Sequence, residues 1–141
     1  MCMTKKSRNI FRFPIARNAP ALQKNSQQAH NTNHDQIAAL LIATKKETGV
    51  DIRLVMALPC REQGDLWTAK EKEVYHWLLS VADSVVYVSE TYSDGCMKKR
   101  NEYMVEQSEY CICALIRERS GTGQTVRYAK QKQLQIINVA K

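Results

Sequence analysis

The chain has 141 residues and five cysteines, with 44% hydrophobic and 25% charged residues, which is typical of one soluble globular domain with a single core. No run approaches the about 18 consecutive apolar residues that cross a membrane, so we exclude a transmembrane protein. Because the cysteine number is odd and no apolar signal-peptide core precedes the cysteines, we expect free thiols in a cytoplasmic protein.

The net charge of +7 is concentrated near the amino terminus. No acidic residue precedes Asp35, and from there onward the charges nearly cancel. Six basic residues come before it: Lys5, Lys6, Arg8, Arg12, Arg17 and Lys24. We therefore predict a basic, flexible arm at residues 1–32 and a folded domain at residues 33–141. The arm could bind nucleic acid through its phosphates, although solvated disorder or an organellar transit peptide has the same composition.

Helical and strand patterns alternate in the first half of the predicted domain. Asp35 to Thr48 has apolar residues at helical spacing and is followed by Gly49, a natural helix end. Asp51 to Leu58 is an apolar run that ends at Pro59, and Leu66 to Val81 again has a core face at helical spacing. This order predicts a helix, a strand and a second helix.

Three short apolar runs follow, at Ser84 to Ser89, Tyr110 to Ile116 and Gln135 to Ala140. The spacing of about 25 residues between strands leaves room for right-handed crossover helices. We therefore predict an α/β, Rossmann-like three-layer fold with a mainly parallel sheet of about four to five strands. Asn9 to Ala16 could add a strand, but Pro14 favours an edge position because it removes a ladder donor.

A turn of Ser, Gly and Thr residues opens the helix that follows the run ending at Ile116. The free N–H groups and the positive end of the helix dipole at such a turn suit a phosphate. The predicted ligand-binding residues are Ser120, Gly121, Thr122, Gly123, Gln124 and Thr125. A helix start that is merely capped by a hydroxyl has the same pattern.

Polar loops at residues 59–67 and 90–101 follow two earlier strands, and the carboxyl ends of parallel strands meet at one rim. We predict that the pocket is lined by Pro59, Gln63, Trp67, Tyr92, Gly95 and Cys96. Trp67 could stack on a base or anchor a helix start in the core. Cys111 and Cys113 are close together, but one C-x-C pair is a poor zinc pattern, so we predict neither a metal nor a cofactor.

Four blocks resemble a known family: ALPCREQGDLW (57–67), YVSETYSDGCMKKRNEYMVEQSEY (87–110), SGTGQTVRYA (120–129) and QIINVA (135–140). They are similar to the YpsA-like branch of the SLOG superfamily, which also contains the Smf/DprA DNA-processing proteins and the lonely-guy phosphoribohydrolases. The resemblance covers about residues 33–141. It implies a Rossmann-like domain that binds a nucleotide or nucleotide-derived ligand.

The chain departs from the superfamily at its amino terminus. Members usually carry a first strand and a second Gly-rich turn ahead of the matched region, whereas the first glycine here is Gly49. We therefore expect a truncated or diverged, N-terminally incomplete fold. The alternatives are that the arm fills the gap, or that the chain completes itself as a homo-oligomer.

Arg100 and Asn101 lie in a segment that is similar to the M-x-x-R-K-x-x-M segment of the lonely-guy enzymes. The resemblance implies ligand contact by Arg100, whose guanidinium can bind a phosphate in a bidentate fork. A solvated surface charge is the alternative for this arginine.

The same enzymes carry G-G-x-G-T-x-x-E with a catalytic glutamate, and Thr125 holds that position here. A hydroxyl cannot supply the charge stabilisation of a carboxylate in glycosidic cleavage. We therefore favour a nucleotide-binding module over an enzyme, unless Glu102 or Glu106 reaches the site. A nucleotide-processing enzyme of phosphoribohydrolase type ranks second, and a DprA-like DNA-associated protein third.

Overall fold

The computed structural model describes residues 2–6, 10–14, 42, 44–65 and 67–140, and these residues form a six-stranded sheet with helices packed on it. The strands are β1 (Cys2–Lys6), β2 (Ile10–Pro14), β3 (Arg53–Leu58), β4 (Ser84–Tyr87), β5 (Tyr110–Cys113) and β6 (Gln135–Asn138). The helices are α1 (Ala69–Val81), α2 (Cys96–Glu106) and α3 (Gly121–Gln131). Residues 44–47 are also helical, and a 3-10 turn, Arg61–Gly64, follows β3.

The strand order across the sheet is β4-β3-β2-β1-β5-β6. Strands β2, β3 and β4 are parallel to one another, as are β5 and β6. Strand β1 is antiparallel to both of its neighbours, β2 and β5. Five strands therefore run in one direction, and the predicted α/β class with a mainly parallel sheet is confirmed.

The amino-terminal side differs from the expectation, because β1 and β2 bring the sheet to six strands and lie in its middle. The edge position predicted from Pro14 is wrong. Pro14 is the last residue of β2 and pairs with Ala57 of β3, while the ladder with β1 covers only Ile10 to Arg12. Its missing N–H therefore interrupts no bond to β1. Strand β1 gave no signal because CMTKK is polar, whereas central strands are usually apolar.

Strand β2 lies where the expected gap would have been, beside β3 and parallel to it. Among the alternatives for the amino terminus, this is the arrangement in which the arm supplies the strand. The arm–domain boundary at residue 33, the flexibility of residues 15–32 and the helix start at Asp35 fall outside the described residues.

The two faces of the sheet carry separate hydrophobic clusters. On one face, β3 packs against α1 and the loop before it, through Leu54, Met56, Leu58, Trp67, Tyr75 and Leu78. Through the register of β2 and β1, Leu54 of β3 and Tyr110 of β5 occupy equivalent positions on this face of the sheet. Since successive strand residues point to opposite faces, Cys111 and Cys113 lie on the other face, where they pack with Val105 of α2 and with α3. The fold therefore has three layers.

Within the described part of the chain, no helix combines the length and apolar character needed to cross a membrane. The predicted helix from Leu66 begins instead at Ala69, after a capping box. Thr68 Oγ1 accepts from the Glu71 N–H at 3.3 Å, and the Glu71 carboxylate accepts from the Thr68 N–H at 2.9 Å. These two bonds satisfy helix-start donors and set the first residue of α1.

Asp83 links three segments at the amino-terminal ends of β3 and β4. Its carboxylate accepts a 2.8 Å hydrogen bond from the Leu54 N–H and forms an ion pair with Lys46. Partial burial alone would raise the pKa of Asp83, but these hydrogen bonds and the charges of Lys46 and Arg53 outweigh it and lower the pKa. The ionised form therefore stabilises the fold.

Asp83→Asn is expected to lower the free energy of unfolding by about 1–2 kcal/mol at neutral pH, because the amide cannot pair with the Lys46 charge. Since the folded pKa lies below the unfolded one, this contribution is present above the unfolded pKa and is lost as pH falls through the folded pKa. The free energies of unfolding of the variant and the wild type, measured with urea, should differ at neutral pH and become equal in acid. Asp51→Asn, at an exposed carboxylate, is the control; an Asp83 effect that persists in acid would contradict the electrostatic explanation.

Candidate functional site

The loops after β3 and β4 are held together at the carboxyl-terminal rim of the sheet. The Ser89 N–H donates to Pro59 O at 3.0 Å, and the Tyr92 N–H donates to Glu62 Oε2 at 2.9 Å. Arg61 Nε donates to Glu90 Oε2 at 2.9 Å. The first two predicted loops therefore meet at one rim.

The residues predicted to line a pocket at this rim differ in exposure. Pro59 and Cys96 are buried, Gln63 is half-buried, and Tyr92 and Gly95 are exposed. Trp67 is 8% exposed and meets Tyr75 edge to face, with ring centroids 5.1 Å apart. This packing matches a core anchor and leaves little of the indole for a base. Gly95 caps α2 with φ of 86°, a conformation that favours glycine.

Buried thiols lie behind the rim. Cys60 and Cys96 are each 1% exposed. Burial raises the pKa of the Cys60 thiol, and the neighbouring Cys96 adds to the rise. A raised pKa disfavours the nucleophilic thiolate. Among the described residues, no group of three His, Cys, Asp or Glu side chains could hold a metal ion.

Several polar groups at the start of α3 are hydrogen-bonded to one another or to the preceding loop. Ser120 Oγ accepts from the Gly123 N–H at 3.0 Å and donates to Arg117 O at 2.7 Å. The Gln124 N–H donates to Ser120 O at 2.9 Å. Two of the four N–H groups predicted for an anion therefore already have partners inside the helix start, as in a capped helix.

Thr125, at the position of the missing glutamate, is 6% exposed and donates from Oγ1 to Gly121 O at 3.1 Å. Its hydroxyl is therefore already hydrogen-bonded within the first turn of α3.

Gly123 lets α3 begin against the backbone of the loop before it. A Cβ atom at this position would overlap the carbonyl oxygen of Glu118 and lie 2.8 Å from its carbonyl carbon. A Cβ at Gly121 would meet no atom within 4 Å. The second glycine of the turn is therefore required by packing, and the first is not.

Arg100 is 3% exposed, so the alternative of a solvated surface charge is wrong. It lies on the buried face of α2 with Cys96 and Met104. Its Nε donates to Asn101 Oδ1 at 2.8 Å, and Nη2 lies 4.0 Å from Met97 Sδ. The guanidinium is thus oriented by residues of its own helix.

A groove with a cavity volume of about 480 Å³ runs between α2 and α3. Its walls are polar: Lys98, Asn101 and Glu102 from α2, and Gln124, Thr125, Arg127, Tyr128 and Gln131 from α3. It brings three predicted residues together, Asn101 with Gln124 and Thr125. Neither Arg100 nor the rim residues before it line this groove.

Sequence reasoning named Glu102 only as a carboxylate that would have to reach the site, and it missed the other four groove residues, Lys98, Arg127, Tyr128 and Gln131. On α3, Gln124, Tyr128 and Gln131 follow one another at spacings of four and three, which places them along one side of a helix. Such a polar row beside a helix neighbour is the signal that could have found them. Beyond the groove, Tyr128 Oη donates to Glu106 Oε1 at 2.6 Å and ties α3 to α2.

Comparison with known proteins gives the family. The profile YpsA, of the YspA SLOG family, matches residues 29–139. The chain belongs to the YpsA SLOG family. It is also 32% identical over 112 residues to the "Uncharacterized SPbeta prophage-derived protein YoqJ" of Bacillus subtilis (strain 168), a match that covers 71% of this chain and 66% of that relative.

The YpsA SLOG match confirms the resemblance drawn from the four sequence blocks. The matched residues include β3 to β6 and both helices that form the groove. Strands β1 and β2 precede the match, so the middle of this sheet contains two strands that the family profile does not cover.

Gly123→Ala is expected to destabilise the protein by about 1–3 kcal/mol, because the added methyl group must displace the Glu118 carbonyl or the start of α3. Gly121→Ala is the matched control, and it should be neutral or slightly stabilising because alanine is the better helix residue. Urea unfolding of both variants measures the difference. Equal stability of the two variants would show that the close approach of Gly123 does not hold.

Proposed function

We propose that the protein binds a nucleotide or nucleotide-derived ligand in the groove between α2 and α3. The observation that carries the proposal is the convergence, in one cavity, of Asn101 with Gln124 and Thr125, three residues that the sequence alone predicts to bind a ligand. Membership of the YpsA SLOG family supports a nucleotide-related ligand in general.

The groove offers both charge and hydrogen-bonding groups for such a ligand. Lys98 and Arg127 supply cations that suit phosphate, and Arg127 is oriented by a 2.9 Å bond from Nη1 to Glu118 O. The carboxamides of Asn101, Gln124 and Gln131 each provide a donor and an acceptor, which suits the polar edge of a base. A volume of about 480 Å³ falls within the range of small-molecule pockets.

The start of α3 adds the positive end of a helix dipole beside Gln124. The N–H of Gly121 has no hydrogen-bond partner among the described residues, so it remains a donor for an anion. This contribution is smaller than the full turn would give, since the Gly123 and Gln124 donors are used within the helix.

A panel of nucleoside mono-, di- and triphosphates, cyclic nucleotides and ADP-ribose tests the proposal by thermal shift and calorimetry. A ligand at about 100 times its Kd should stabilise the fold by about 2.7 kcal/mol. Gln124→Ala and Lys98→Ala should weaken binding about tenfold or more, since each removes a direct ligand contact.

Lys130→Ala is the matched control, because Lys130 is an exposed lysine of α3 that does not line the groove. Binding that is unchanged in Lys98→Ala and Gln124→Ala, or a panel in which nothing protects the fold, would refute the groove as the site.

A second candidate function is hydrolysis of an N-glycosidic bond, favoured by one specific observation. Glu102 lines the groove with Thr125, and its side chain is 34% exposed, with Oε1 3.7 Å from Lys98 Nζ. A carboxylate there could activate water or stabilise the positive charge that develops on the sugar. The products would be a free base and a ribose phosphate.

Free base released from nucleoside monophosphates, measured by chromatography, tests this second function. Glu102→Gln should abolish release, whereas Glu106→Gln should retain it, because Glu106 bonds Tyr128 and does not line the groove. Turnover that survives in Glu102→Gln would exclude this carboxylate, and absence of turnover in the wild-type protein would leave binding as the function.

A further inference from the structure

Among the described strands, β6 forms an outer edge of the sheet, and some of its backbone groups point away from β5. The Gln135 N–H donates to Glu109 O at 3.0 Å and the Val139 N–H donates to Cys113 O at 2.7 Å, both toward β5. Because backbone groups alternate in direction along a strand, the N–H and C=O groups of Ile136 and Asn138 point away from β5. The edge therefore presents two residues that can hydrogen-bond to another strand.

The sequence of this edge lacks the charges and prolines that often prevent strands of different molecules from pairing. Residues 133–140 read QLQIINVA, without a charge or proline, in a chain that is 25% charged. Soluble proteins usually protect edge strands with charges, prolines or bulges.

The opposite edge of the same sheet has such protection. Strand β4 begins beside the Asp83–Lys46 ion pair and ends beside the Arg61–Glu90 pair, with the Arg61 guanidinium 4.5 Å from the Tyr87 ring centroid. The two edges of one sheet therefore differ sharply in charge.

An apolar stripe lies along the open edge, on the face away from α3. Ile136 packs with the α3 cluster, so Ile137, its neighbour, faces the other side together with Ile112, its partner in the register. Ile137 is 40% exposed and Val139 is 54% exposed. No described helix packs against this stripe in the hydrophobic clusters.

We propose that β6 pairs antiparallel with β6 of a second copy of this chain, with the two-fold axis at Ile137. Antiparallel pairing places residues of one face opposite each other, so Ile137 faces Ile137 of the second copy. Ile136 then exchanges hydrogen bonds with Asn138 of the partner, which uses both outward-pointing residues.

Charge supports a second copy as the occupant. Each chain carries a net charge of +7, yet the paired segments are uncharged, so the ladder brings no like charges face to face. The nearest described charge before β6 is Lys132. In the antiparallel pair, the two copies of Lys132 lie at opposite ends of the ladder and therefore far from each other. A two-fold interface also forms a closed dimer in which the β6 edges of both copies are paired. Parallel pairing of the two strands would not give this closed arrangement.

Light scattering coupled to gel filtration of the full chain gives the first test. The molar mass should rise from 16.2 kDa to twice that value with increasing concentration, because dimers follow mass action. Ile137→Lys should give a monomer, since it places two like charges opposite each other. Ile116→Lys, at an isoleucine that is 82% exposed and lies outside β6, should remain dimeric.

A charge swap makes the test independent of any folding defect. Ile137→Lys and Ile137→Glu should each be monomeric alone, and an equimolar mixture should form a heterodimer. Hydrogen exchange of the Ile136 and Asn138 amides should slow with rising protein concentration. A wild-type monomer at all concentrations, a dimer that survives Ile137→Lys, or amides that are protected in a monomer and thus covered by the chain itself would each overturn the proposal.

Discussion

The close approach of Gly123 to the carbonyl group of Glu118 fixes where α3 begins, and much of the candidate site depends on it. With α3 set against the β5–α3 loop, Val126 and Ala129 reach the cluster around Cys111 and Cys113. The side of α3 that carries Gln124, Tyr128 and Gln131 then lines a polar groove shared with α2. The absence of a Cβ atom at Gly123 therefore allows α3 to begin close to the loop that precedes it.

The turn at Ser120 has two roles that sequence patterns cannot separate. Small hydroxyl residues and glycines at a helix start suit an anion, and they equally suit a helix that caps itself and packs tightly. In this chain Ser120 caps the helix by accepting from the Gly123 N–H, and the Thr125 hydroxyl donates within the same turn to Gly121 O. Under the proposed function, the ligand contacts come instead from the side chains of Lys98, Gln124 and Arg127, which line the groove.

The sequence predicted the parts of the fold that depend on local patterns. Strands β3 to β6 and the cores of α1, α2 and α3 follow from apolar spacing and capping residues. Strand β1 could not be predicted, because its polar residues gain a place in the sheet only through pairing with β2 and β5. Burial of Arg100 was missed for a related reason: nothing in M-K-K-R-N shows which side of a helix faces the sheet. Asn101, Gln124 and Thr125 were predicted as site residues and Glu102 was named as a carboxylate that would have to reach the site, while Tyr128 required knowledge of which helices are neighbours.

The position of β1 has a consequence for the order in which the sheet can form. Cys2 pairs with Cys113, so β1 is hydrogen-bonded to a strand that is far from it in the chain and is synthesised much later. Contacts between such distant parts of a chain close large loops and slow folding. Until β5 has been synthesised, β1 can pair only with β2, and its other side stays unpaired. The two halves of the sheet are therefore joined late in folding, through a strand that is made well before its partner β5.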